Sequence, residues 1–231
     1  MNDLMQSSAF LGMLLSLAAY WTGTALSKRF RSALFNPLLI AVILVIAFLA
    51  IFKVDYDSYY SGAKYLSFLL TPATVCLALP LYQQIEKLKE NALAIICALL
   101  SGVLTSLLSV FLLSVMFRLD HSEYVTLLPK SITTAIGMGV SEELGGMASV
   151  TVPVIILTGI FGNLSGEFVC RLFRITEPIA KGLGIGCASH AIGTSKAMEW
   201  GELEGAMSSL AIVICGIFTV ILATVFSSFV Q

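Results

Sequence analysis

The sequence predicts an all-α, polytopic membrane protein with about six full transmembrane helices and two oppositely directed re-entrant hairpins made from broken helices. Three observations carry this reading. Six stretches of 21 residues or more contain no Asp, Glu, Lys or Arg, and a hydrocarbon core about 30 Å thick needs roughly 20 apolar residues of helix to cross. Hydrophobic residues make up 58% of the chain and charged residues only 12%, far from soluble averages. Two shorter apolar segments end in clusters of glycine, hydroxyl and ionisable residues.

The long stretches are Leu4–Ser27, Ser32–Phe52, Tyr65–Ile85, Asn91–Phe117, Leu144–Gly166 and Gly205–Gln231. A soluble core helix of such length would carry a polar face. Pro37–Phe52 carries none, so it faces lipid or other apolar helices. The first stretch follows Met1-Asn2-Asp3, which lacks the basic region of a signal peptide, and is expected to stay in place as the first span. In the third, Pro72 and Pro80 bracket Thr74 and predict a kinked or broken helix. Thr74 is then either a wall of a site or a packing residue. Residues 1–231 are expected to form a single integral membrane domain, with four spans in 1–127 and two hairpin-plus-span units in 128–231. The five cysteines show no metal-like spacing and are expected as free thiols packed among apolar neighbours. No cofactor is implied. A net charge of −1 without basic runs argues against nucleic acid.

Charge sets the orientation, because Lys and Arg favour the cytoplasmic side. Lys28, Arg29 and Arg31 place the first loop in the cytoplasm. The choice then lies with Ser131–Gly146 and Gly182–Gly201. If each enters and returns on one face, Lys87, Lys89, Arg171, Arg174, Lys181 and Lys196 also lie inside. Lys53, Lys64, Arg118 and Lys130 are then outside. Weak internal similarity fits this scheme. Leu99–Val103, Ile156–Ile160 and Val213–Ile217 recur at a spacing of 57 residues, each with a glycine at the same place. Such short matches also arise from helix packing alone. As true repeats they imply the inverted architecture of secondary transporters.

The two short segments hold the candidate site. Glycine-broken, polar backbone at membrane depth is tolerated only where it lines a cavity or is buried in protein, and free helix N-termini suit anions. Thr133, Thr134, Ser189, His190, Gly193, Thr194 and Ser195 are the candidate substrate-binding residues, with Thr74 as a third wall. Glu142, Glu143 and His190 are the candidates for proton or ion coupling. An ionised carboxylate at mid-bilayer costs a few kcal/mol, so Glu142 and Glu143 need a partner or water, or else sit at the interface. His190 titrates near neutrality, or makes a structural hydrogen bond that closes its hairpin. Lys196 either neutralises a carboxylate or snorkels to the surface. Asn163 is expected to hydrogen-bond across helices and Glu167 to pair with Arg171 at i, i+4. Ser189 and His190 are adjacent and cannot form a nucleophile–base pair alone. No hydrolase, zinc or nucleotide signature occurs, so no enzyme is expected.

Leu128-Pro129-Lys130-Ser131-Ile132-Thr133-Thr134, Gly145-Gly146, Ser189-His190-Ala191-Ile192-Gly193-Thr194 and Gly205-Ala206-Met207-Ser208-Ser209-Leu210 resemble the LrgB/CidB family. Ala135 departs from it, since relatives commonly carry proline there. The resemblance implies a multi-pass protein of the bacterial cytoplasmic membrane acting with a small LrgA/CidA-type membrane partner, as a homo- or hetero-oligomer. It also implies one of two roles: a holin/antiholin-like regulator of murein hydrolase export and autolysis, or a carrier of small monocarboxylates such as pyruvate, glycolate and glycerate. A carrier needs a polar site between moving repeats, which the paired segments suggest. A pore needs only helices that oligomerise. A non-transporting scaffold for the partner would tolerate changes at His190, Glu142 and Glu143 while depending on packing glycines such as Gly102 and Gly159.

Overall fold

The computed structural model describes residues 10–30, 37–69, 72, 75–76 and 78–230, and the chain separates into two compact units, Met1–Cys76 and Leu77–Gln231. Among the described residues all regular structure is helical. The first unit holds α1 (Leu11–Phe30), α2 (Pro37–Phe52) and α3 (Tyr56–Phe68). Close contacts to α1 are made possible by glycines. A Cβ on Gly12 would collide with the Tyr59 carbonyl, and the Tyr59 hydroxyl lies 2.6 Å from Ser16 Oγ. The segment after Lys53, expected as a loop, forms α3 instead, because Asp55 caps it by accepting the Ser58 amide at 2.9 Å.

The hydrogen bonds from Ser58, side chain first and backbone second, hold the Asp55 carboxyl below the usual aspartate range. A lowered folded-state value stabilises the helix above the unfolded value, and that stability is lost as pH falls through the folded one. Asp55→Asn should therefore flatten the acid limb of the stability–pH curve below about pH 4, measured by circular dichroism in detergent.

The second unit comprises α4 (Ala78–Gln83), α5 (Ile85–Glu90), α6 (Ala92–Phe117), α7 (His121–Leu127), α8 (Thr134–Glu143), α9 (Ala148–Leu172), α10 (Pro178–Trp200) and α11 (Glu202–Ser227). Among the described residues, α6, α9 and α11 are long and apolar enough to cross a bilayer, and α2 is a shorter apolar helix of 16 residues. These three match the expected fourth, fifth and sixth spans to within a few residues at each end. The expected total of six is not reached among the described residues. The third expected span, Tyr65–Ile85, overlaps the end of α3 and all of α4, and Thr74 lies outside the described residues. The core of this unit joins the inner faces of α6 and α11: Ile95, Leu99, Val103 and Leu107 on one, Met207, Ala211, Cys215 and Ala223 on the other. Outer faces stay apolar and exposed, as at Leu112, Leu157 and Ile221, which suits a lipid surround.

Between these long helices stand two hairpins. The first is α7, a reversal over residues 128–133, and α8. Its start is fixed by a capping box: Asp120 accepts from the Glu123 amide at 2.8 Å, and the Glu123 carboxylate accepts from the Asp120 amide at 3.1 Å. Its two arms share one end. His121 Nε2 lies 3.3 Å from the Leu144 carbonyl and Ser122 Oγ donates to the Gly145 carbonyl at 3.2 Å. The second hairpin is α10, which doubles back at His190. A straight helix would hold Lys181 and Trp200 about 28 Å apart, yet both line one recess. A Cβ on Gly193 would lie 2.7 Å from the Ile185 carbonyl, which only a reversal permits.

Candidate functional site

The hairpins enter from opposite ends and both tips reach mid-helix depth. The open end of the first lies beside the C-terminal end of α11, where the Tyr124 hydroxyl donates to the Phe226 carbonyl at 2.9 Å and His121 Nδ1 lies 2.6 Å from the Val230 carbonyl. The open end of the second lies beside the start of α11, where a Cβ on Gly182 would collide with the Glu204 carbonyl. At the first tip, Lys130 Nζ donates to Ser106 Oγ at 3.1 Å and Ser131 Oγ at 3.0 Å. Ser106 is the fifteenth of the 26 residues of α6. Lys130 is thus corrected from an outer-loop charge to a hairpin-tip cation deep in the unit. The reason is legible after the fact: Pro129 ends the chain's use of α7, and the turn that follows is carried inward by that short helix.

The second tip packs against α9. His190 has φ 41° and ψ −136°, a region that disfavours any side chain and is held only by its surroundings. His190 Nε2 lies 3.1 Å from the Ile155 carbonyl; because a carbonyl only accepts, the ring nitrogen donates. Asn163 Nδ2 donates to the Ile192 carbonyl at 2.8 Å, satisfying a backbone group beside the break. Glycines make this approach possible. A Cβ on Gly159 would lie 2.9 Å from the His190 ring, and one on Gly162 would collide with Ser189 Oγ. Two changes at His190 separate strain from bonding. His190→Ala should cost about 2–4 kcal/mol through the lost hydrogen bond and the void. His190→Gly should cost less, since glycine accepts the positive φ. Thermal midpoints should therefore run parent, then glycine, then alanine.

Both tips border one cavity of about 860 Å³ that runs from Asn91 and Glu177, at the starts of α6 and α10, to Lys130 and Ser131 at one tip and Ser189 at the other. Hydroxyls of Ser101, Thr105, Ser106, Ser109, Thr158 and Ser165 line it as well. Lys130 has no carboxylate in ion-pair range among the described residues; it donates to two hydroxyls and lies within electrostatic reach of the Cys187 thiol. Ser189 is fully buried and, among the described residues, its hydroxyl makes no hydrogen bond. The Ser189 hydroxyl itself is packed against Gly162, so, apart from Asn91 and Glu177, the polar groups open to the cavity are Lys130 and the hydroxyls of α6, α9 and Ser131.

Not every expected residue comes to this cavity. Ser189 lines it; Thr133 and Thr134 begin α8 and His190 and Gly193 follow Ser189, all outside the lining. Thr194 is fully buried and bonds to the His190 carbonyl at 2.9 Å and to Ser208 Oγ at 2.7 Å, so its hydroxyl knits the hairpin to α11. Ser195 is exposed and donates to the Ile192 carbonyl at 2.7 Å. Glu142 and Glu143 are exposed at the open end of the first hairpin, about 15 Å of helix from its tip. Lys196 pairs with Glu199 at 2.7 Å. Asn163 bonds across helices and Arg171 pairs with Glu167 at 2.9 Å, both as the sequence suggested. Sequence reasoning missed Lys130, Ser131 and Ser106 as lining groups. The Asp120…Glu123 capping box followed by Pro129 was the available signal that a helix precedes Lys130 and turns there.

The long apolar helices and the opposed broken hairpins define a multi-pass α-helical protein of the cytoplasmic membrane. The chain belongs to the LrgB family: the model described as "LrgB-like family" matches residues 16–229. It is similar to the "Antiholin-like protein LrgB" of Bacillus cereus (strain B4264) and to the protein of the same name from Bacillus anthracis (strain A0248). Each is 37% identical over 222 residues, covering 96% of both chains. No solved structure matches it.

Proposed function

We propose that this chain is a secondary carrier of small monocarboxylates of the pyruvate, glycolate or glycerate kind, with its site where the two hairpin tips meet. The carrying observation is Lys130, a cation at mid-helix depth held by Ser106 and Ser131 without a carboxylate partner. In this reading both hairpins are re-entrant, and α7–α8 with α9 and α10 with α11 are inverted hairpin-plus-span repeats. The carboxylate binds Lys130, while Ser106 or Ser131 donates to a second oxygen of the substrate. Movement of one repeat against the other, over glycine contacts such as Gly159, exposes the cavity to alternate faces. Coupling to a proton is part of the proposal, with His190 the ionisable group nearest the second tip. A small LrgA/CidA-type membrane protein is the proposed partner, in a homo- or hetero-oligomer.

A second reading has its own support, and the relatives favour it more directly. They carry the name antiholin-like, so this chain is then a regulator of a holin-like pore, controlling murein hydrolase export and autolysis. Uptake of labelled pyruvate and glycolate into vesicles containing the full chain separates the two readings. The assay uses an imposed pH gradient, with and without an LrgA-type partner. Saturable, gradient-driven uptake supports the carrier. Leakage of unrelated solutes with no saturable component supports the holin-like reading.

A further inference from the structure

We propose that a recess at the shared end of α9, α10 and α11, remote from the hairpin tips, binds the phosphate headgroup of an anionic phospholipid. The recess has a volume of about 640 Å³. Arg171, Arg174 and Lys181 supply its cations, and Glu167, Glu204 and Trp200 complete the lining that matters here. Arg171 is neutralised by Glu167 at 2.9 Å. Arg174 and Lys181 have no ion-pair partner among the described residues, and Glu204 is the one further carboxylate in the lining. The recess therefore carries a net positive charge of one (three cations less two carboxylates), matched by a phosphodiester.

The chain is shaped to present this charge. Arg174 sits at φ 54°, a left-handed turn that ends α9, with its amide donating to the Arg171 carbonyl at 3.3 Å. Lys181 belongs to the first arm of α10 and Trp200 to the end of the second. One headgroup thus spans the base of the hairpin and the end of α9. Directly beside the cations, Phe168, Leu172 and Phe173 are 66%, 61% and 70% exposed. An anion-binding recess bordered by bare apolar side chains at the end of a membrane-length helix suits a molecule with a charged head and acyl tails. A free anion would leave those side chains without a role. Trp200 at this level fits the headgroup zone, where indole rings concentrate.

The test uses the full chain in neutral detergent, with the thermal midpoint followed as phosphatidylglycerol, phosphatidylcholine or inorganic phosphate is added, and retained lipid counted by native mass spectrometry. Phosphatidylglycerol should raise the midpoint saturably and phosphatidylcholine should not. Arg174→Gln and Lys181→Gln should each weaken apparent affinity about fivefold, while Lys53→Gln leaves it unchanged. The two variants are independent, so failure of one to fold leaves the other to decide. An unchanged phosphatidylglycerol response in a folded variant overturns the site. An equal response to inorganic phosphate overturns the lipid as its ligand.

Discussion

Lys130→Gln weakens binding of pyruvate or glycolate to the purified protein by about tenfold to a hundredfold, while Lys130→Arg retains most of it. The magnitude follows from the loss of a charge-assisted hydrogen bond, about 1.5–3 kcal/mol, converted at about 1.4 kcal/mol per tenfold. Glutamine keeps a donor for Ser106 and Ser131, so the hairpin tip should hold its place. The stability of the variant should stay close to that of the parent, because a half-buried cation that lacks a carboxylate partner is partly desolvated at a cost. Isothermal titration beside a thermal melt reads both effects. A variant that binds as tightly as the parent would remove Lys130 from the site.

The second large effect concerns packing. Gly162→Ala lowers stability by about 1–3 kcal/mol, because its methyl group would occupy the place of Ser189 Oγ. In a chain of this size that is a fall of about 2–12 °C in the thermal midpoint. Ser189→Gly removes both side-chain atoms that the new methyl would meet. The double variant Gly162→Ala/Ser189→Gly should therefore recover most of the lost stability, although the single change Ser189→Gly adds no stability of that size. Non-additivity of this kind is expected only between residues in contact. Additive effects would mean that α9 and the second tip do not touch there.

How far the sequence led can be judged residue by residue. Long charge-free runs marked α6, α9 and α11 well, since a bilayer-length helix leaves no choice of period or face. The second hairpin was also legible, because Gly182, Gly184, Gly186 and Gly193 crowd a segment with two polar clusters. Its reversal at His190 rests on a non-glycine at positive φ, which no local pattern announces. The first hairpin was placed too late in the chain. Lys130 looked like a loop charge because positive residues normally avoid membrane depth; only tertiary contacts with Ser106 show it folded inward. Thr133 and Thr134 were chosen for their hydroxyls, and the lining begins just before them at Lys130 and Ser131. Glu142 and Glu143 drew attention as charges beside a glycine pair, and they sit exposed at the base of the hairpin with no ion-pair partner among the described residues. Thr194 shows the opposite outcome: a hydroxyl in the right hairpin, fully used by the packing of α10 on α11.

The tip bearing Lys130 reaches the middle of α6. Cross-linking of Ser106→Cys with Ser131→Cys in the full chain, with all five native cysteines replaced by alanine, tests this placement. The two hydroxyl oxygens lie 3.3 Å apart, within the reach of a disulfide once the side chains adjust. Rapid, near-complete cross-linking is expected under mild oxidation, with Ser131→Cys alone shielded from impermeant thiol reagents on the side of Arg118. Free labelling of that single cysteine from the Arg118 side, with no cross-link to position 106, would contradict the placement.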